Sequence, residues 1–223
     1  MKLYIDSAAH SEWRLPPGCP PVQGVTTNPT LVLRAGLPVS VGGYRRLVAQ
    51  AGECGLPELM LQLPQPDVAQ GMAWLDALQV DAERASVHLT VKLPCHPDWE
   101  LLMDAVRARG LPVLLTGVAN PVQLLWAVHK CAAYVAPYLG RLQAGGRDVW
   151  ALVAACVAMQ PRGTDLLAAS VKSADVLAQL IAAGATAATL QPALIASLAT
   201  DSITADAMLQ FDADTRASQA LPS

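Results

Sequence analysis

A lysine placed inside an apolar run is the residue of this chain whose surroundings most suggest chemistry. Lys92 stands in "HLTVKLP", two residues before a proline and among mostly apolar neighbours. Only three other lysines occur, Lys2, Lys130 and Lys172. Lys2 opens the first apolar run, and Lys130 falls near the end of a helical pattern, where a cation is ordinary. Lys172 follows "LAAS" at a candidate helix N-terminus suited to phosphate; it is the rival nucleophile. A buried ammonium without a partner is costly, so such an amine loses its proton readily. An exposed lysine of pKa about 10.4 is neutral in about one molecule in 10³ at pH 7. Lowering that pKa by roughly 3 units gives a usable amine nucleophile, the chemistry of Schiff-base enzymes. The competing reading is a strand lysine that reaches the rim or pairs with a carboxylate.

Polar side chains also close the other apolar runs. Asp6 ends "KLYID", Thr26, Thr27 and Asn28 end "GVTTN", and Gln62 comes late in "LMLQL". Thr116 stands in "PVLLTGV", Tyr138 ends "AYVAPY" with Arg141 close behind, and Ser170 ends "DLLAAS". Each has a plain alternative. Asp6 could cap a loop, Asn28 before Pro29 is a common turn former, and Gln62 could satisfy backbone groups. Tyr138 could be a core residue with its hydroxyl at the rim, and Arg141 a solvated loop charge. Their coincidence at successive run ends favours one shared site. Thr26 and Asn28 are two residues apart, which places them on one strand face. His10, His88, His96 and His129 show no metal-ligand spacing.

Such a set needs a scaffold that brings many strand ends together. Eight apolar runs read as strands, at 2–6, 24–28, 59–63, 86–94, 112–118, 133–138, 165–170 and 187–192. Most are continuous rather than alternating, as in a parallel sheet covered on both faces. Helical patterns separate them. Val149, Leu152, Val153, Cys156 and Val157 mark one helix face, and Val176, Leu177, Leu180, Ile181 and Gly184 repeat the spacing. "HPDWELLMDAVRARG" carries proline near its start and glycine at its end. Strand–helix alternation over 223 residues predicts a single-domain (β/α)8 TIM barrel over residues 1–205, with a C-terminal tail or helix at 206–223. A doubly wound open sheet is the runner-up, but no glycine-rich phosphate loop follows the first strand.

Composition narrows the partners. A net charge of −3 gives no electrostatic footprint for nucleic acid. No apolar run reaches the roughly 18 residues of a membrane span, and "MKLYIDSAAH" has no secretion-signal pattern, so a cytoplasmic protein is expected. The five cysteines, odd in number and without a CxxC pair, read as buried free thiols. With 53% hydrophobic and only 15% charged residues, some apolar surface should be covered by sister subunits.

"LYID", "GVTTNPT", "VKLP", "YVAPY" followed by "GR", and "LAASVK" together resemble the transaldolase family, and within it the small-subunit fructose-6-phosphate aldolases. The resemblance implies a metal-free, cofactor-free class I aldolase acting on a sugar or sugar phosphate. In it Lys92 forms the imine and Asp6 binds substrate hydroxyls. Asn28 holds a hydroxyl near the imine, and Thr26 lines the same floor. Gln62, Thr116 and Tyr138 position a water, with Tyr138 the acid/base, while Arg141 and Ser170 bind phosphate. Gln62 and Tyr138 match the aldolase branch; transaldolases carry Glu and Phe there. The chain departs from the pattern at His88, Thr90, Gly140 and Gln143. A transaldolase is the alternative, and a non-catalytic sugar-phosphate-binding barrel a further one. Pentamers paired into decamers, with the C-terminal helix reaching a neighbour, are also implied.

Overall fold

The structure, a computed structural model, describes residues 1–219. Eight parallel strands close into a barrel in sequence order, the last pairing back to the first. They are β1 (Lys2–Asp6), β2 (Gly24–Thr26), β3 (Glu58–Gln62), β4 (His88–Pro94), β5 (Val113–Thr116), β6 (Tyr134–Ala136), β7 (Asp165–Ala168) and β8 (Ala187–Leu190). The helices α1 (Pro29–Arg34) and α2 (Val41–Glu53) follow β2, α3 (Val68–Ala85) follows β3, α4 (Glu100–Ala108) follows β4 and α5 (Pro121–His129) follows β5. Next come α6 (Leu139–Ala144) and α7 (Val149–Met159) after β6, α8 (Ala174–Ala183) after β7, and α9 (Pro192–Leu198) and α10 (Ser202–Gln219) after β8. This is the (β/α)8 barrel that the alternation predicted.

Short polar side chains start these helices. Asn28, Ser40, Asp67, Asn120, Asp148 and Ser173 each accept a hydrogen bond from a backbone N–H in the first turn, replacing a partner the helix cannot supply itself. Proline opens α1, α5 and α9, where its missing N–H costs nothing.

Strand parity divides the interior into two cores. Ile5, Val25, Leu59, Leu61, Val91, Leu93, Val113, Leu115, Val135 and Leu166 face outward into the layer shared with the helices. Their alternates Tyr4, Met60, Leu114, Tyr134, Ala136, Leu167 and Ala187 fill the barrel itself. One residue of slip would exchange these sets, so the register is tightly held.

Several expectations need correction. The strands are shorter at their C-terminal ends than the apolar runs: β2 stops at Thr26, β6 at Ala136 and β7 at Ala168. Asn28, Tyr138 and Ser170 therefore lie in the turns beyond. Pro29 and Pro137 lack an N–H for the ladder, and Ser170 takes a left-handed φ of 63°. Ile181 and Gly184 leave the helix face assigned to them: Ile181 is exposed, and Gly184 ends α8 at φ 85°. Only Cys95 and Cys156 of the five free thiols are buried, and Cys131 is exposed. The tail is helical from Ser202, so the expected boundary at 206 falls inside α10; residues 220–223 lie outside the described residues. Among the described residues, no helix is long and apolar enough to cross a membrane.

Candidate active site

A cavity of about 620 Å³ opens at the C-terminal ends of the strands. Eight of the nine residues to which the resemblance gives roles line it: Asp6, Asn28, Gln62, Lys92, Thr116, Tyr138, Arg141 and Ser170. The ninth, Thr26, does not reach it. Its side chain is wholly buried, and its hydroxyl is engaged by Asp6 and Thr189. Parity gave its face correctly but not its depth.

Lys92 points inward because Leu93 and Val91 point outward, and β4 brings it level with Gln62 of β3 and Leu114 of β5. Only 6% of it is exposed. Burial pushes its pKa down to about 8, against the upward pull of the Asp6 carboxylate. Removing water penalises the charged form, and a nearby anion favours it. Burial wins. About a tenth of such an amine is neutral at pH 7, a gain of over a hundredfold on a free lysine.

Tyr138 precedes α6 and bridges to Ala169 beside β7. Thr116 Oγ1 donates to its phenol oxygen at 2.6 Å, which leaves the phenol's own proton for the cavity. The Arg141 guanidinium lies 4.8 Å from the Tyr138 ring centroid, a cation–π contact that holds both side chains at the mouth. Asn28 serves two readings together. Its Oδ1 accepts from the Leu31 N–H at 3.0 Å and caps α1, and its amide donors remain for a ligand.

Ser170 and Gly140 are matched to each other. A Cβ at Gly140 would lie 3.0 Å from Ser170 Oγ and 3.1 Å from Ser170 O. The departure at position 140 thus makes room for the Ser170 turn, while Lys172 Cε, 3.6 Å from the same point, would tolerate a side chain there. Arg34 and Lys172 also line the cavity. With Lys92 and Arg141 they set four basic side chains against one acidic one, Asp6, an imbalance suited to an anionic ligand.

The sequence reading missed Arg34, Thr189 and Gln191 as lining residues. Thr189 had a usable signal, since it shares the inward parity of Ala187 on β8. Arg34 had none, because α1 is only six residues long and gives no helical periodicity to read. His96, close to Lys92 in sequence, is exposed and accepts from the Asp98 N–H through Nδ1.

Known proteins resemble this chain over most of its length. Residues 76–221 match the family model described as "Transaldolase/Fructose-6-phosphate aldolase". A "Probable transaldolase" of Rhodospirillum centenum is 29% identical, the alignment covering 96% of this chain and 90% of the relative. Another, of Exiguobacterium sibiricum, is also 29% identical, with 96% and 97% covered. Among solved structures, a mandelate oxidase superposes with a TM-score of 0.53 at 18% identity, covering 78% of this chain and 57% of the oxidase. That likeness shows the barrel fold alone.

Proposed function

From the premise that the chain belongs to the transaldolase/fructose-6-phosphate aldolase family, we propose that it is a class I aldolase using Lys92 as its imine-forming amine. The observation that carries this reading is the position of Lys92: buried, on the inner wall, and held near pKa 8. In the reaction, neutral Lys92 adds to the C2 carbonyl of a ketose such as fructose 6-phosphate, and the adduct loses water to give a protonated imine. The imine nitrogen accepts the electron pair of the C3–C4 bond as that bond breaks, and the C4 hydroxyl proton leaves to base. An aldehyde of the glyceraldehyde 3-phosphate type departs. The enamine then takes a proton at C3, and water releases a dihydroxyacetone-type product and free Lys92.

The remaining roles are those that the family resemblance implies. Tyr138, with its proton unspent, moves protons with a water held near Gln62 and Thr116. Asp6 and Asn28 take substrate hydroxyls. Arg141, Ser170 and Lys172, which line the cavity, take the phosphate end. Two features favour an aldolase over a transferase, the amide at Gln62 and the phenol at Tyr138. The names of the two relatives favour the second reading, transfer of a dihydroxyacetone unit between sugar phosphates. Purified protein given fructose 6-phosphate decides between them. Free dihydroxyacetone without an acceptor supports the aldolase; strict dependence on erythrose 4-phosphate supports the transferase.

The same proposal includes a homo-oligomer. α10 has no buried residue, and Ile203, Leu209 and Phe211 stand exposed along it. Apolar surface of this kind is suited to cover by a second copy. Sedimentation of the whole chain against one truncated at Thr200 tests this: loss of subunits on truncation supports it, and a whole chain that sediments as a monomer overturns it.

A further inference from the structure

We propose that Thr189 is a positioning residue, which fixes through Thr26 the orientation of the Asp6 carboxylate toward substrate; this rests on the aldolase reading for its kinetic consequence but not for its geometry. Thr26 Oγ1 donates to Asp6 Oδ1 at 3.0 Å. A threonine hydroxyl has one proton, so that proton is spent. At the 2.7 Å contact between the Thr26 and Thr189 hydroxyls, Thr26 can then only accept, and Thr189 donates. The chain of bonds has one direction: Thr189 to Thr26 to Asp6.

The fold builds this relay deliberately across one strand. β1 lies between β2 and β8, with Asp6 level with Thr26 and Tyr4 level with Thr189. The two threonines therefore meet over the inner face of β1, beneath Asp6. In barrels of this kind, side chains of alternate strands share a layer, and β2 and β8 are such a pair. Thr26 is wholly buried and Thr189 is 3% exposed, so water does not compete for these bonds. Thr189 still borders the cavity, where its oxygen has only acceptor capacity left. Oδ1 of Asp6 is occupied, and Oδ2 is the oxygen left to accept a substrate hydroxyl.

Thr189 also tightens the hold of Thr26 on the carboxylate, because a donor is stronger when it accepts a hydrogen bond itself. The charged groups around Asp6 are Lys92 from β4 and, sharing the cavity, Arg34, Arg141 and Lys172. Below it, Tyr4 of β1 is bonded to Glu58 of β3. From β2 and β8 only the two threonine hydroxyls face it.

The test compares the whole chain with Thr189→Val, which keeps the shape and removes the hydroxyl, and with Thr189→Ser, which keeps the hydroxyl. The Asp6 carboxyl carbon, ¹³C-labelled, is observed by NMR at one fixed pH, a readout that needs no turnover. We expect its chemical shift to change in the valine variant and to return in the serine variant. The kcat/KM for ketose cleavage should fall about tenfold in the valine variant, as for loss of one hydrogen bond of ordinary strength, and recover with serine. Thr26→Val, which removes the central link, should displace the resonance further, and it serves if Thr189→Val does not fold. An Asp6 resonance unmoved in the valine variants, or a serine variant displaced as far as valine, overturns the relay. A wild-type protein without aldol turnover would sink the functional reading, while the resonance still judges the relay.

Discussion

The two ends of the barrel interior hold the same kinds of side chain and use them oppositely. At the N-terminal end, Glu58 accepts from Tyr4 Oη at 2.7 Å and from Thr90 Oγ1 at 2.5 Å, and Lys2 Nζ donates to Tyr134 Oη at 3.2 Å. The carboxylate and the ammonium at this end each already have side-chain partners. The bond to Tyr134 holds the pKa of Lys2 above its ordinary value. At the C-terminal end, a lysine, a tyrosine, a carboxylate and threonines recur, but they are left with unspent capacity. Burial lowers Lys92, the Tyr138 proton is free, and one Asp6 oxygen faces the cavity. The difference teaches that residue type does not make a site. What matters is whether each polar group is already satisfied by another, since an unsatisfied buried group carries a free-energy cost that a ligand can relieve.

The sharpest way to break this contrast is to exchange the lysines' fates. Lys92→Met should lose all borohydride trapping with dihydroxyacetone, while Lys2→Met retains it; mass spectrometry of the reduced adduct reads both. Trapping through Lys2 or Lys172 in the Lys92 variant would end the assignment. In the wild type the trapping rate should climb with pH and level off above about 8, following the neutral amine. Next in size, Tyr138→Phe removes the phenol proton and should slow acceptor-independent cleavage by about a hundredfold, within the range of general acid–base catalysis. A rate within threefold of wild type would show that the phenol moves no proton.

The upper half of this contrast is legible in the sequence. Lys92 stands out because an unpaired ammonium in an apolar run is costly, and the strand ends are visible because Pro29, Pro94 and Pro137 punctuate them. Depth and partnership were not legible. Thr26 and Asn28 share a parity, yet one is sealed beneath Asp6 and the other caps α1 at the cavity edge. The lower network was invisible, because Glu58 and Thr90 meet only through the pairing of β3 with β4. Ile181 fitted a helical face by spacing, but which face packs depends on where α8 sits on the barrel.

A smaller effect concerns stability. Lys92 titrates at about 8 in the fold and at 10.5 when free, so protonating it favours the unfolded chain. That penalty is complete below pH 8, fades between 8 and 10.5, and is absent above. Lys92→Met should therefore be more stable than the wild type by about 3 kcal/mol at pH 7 and by roughly half as much at pH 9.5, at 1.36 kcal/mol per unit. Urea denaturation at both pH values measures it. A gain that does not shrink with pH would mean that packing, not charge, explains it.

The smallest predicted change tests the closed end. Glu58→Ala leaves the hydroxyls of Tyr4 and Thr90 without their acceptor, and both residues are at most 1% exposed. The cost should be about 2 kcal/mol, the penalty of stranding buried donors. Glu58→Gln keeps a carbonyl acceptor and should lose less than half of that. Neither should change kcat by more than about twofold, because on β3 the inward-facing Met60 separates Glu58 from Gln62, the residue level with Lys92, and packed apolar side chains pass on little of a change in hydrogen bonding below them. Were kcat to fall in step with stability, the two ends would be one coupled system, and satisfied groups would have to be counted as part of the catalytic apparatus.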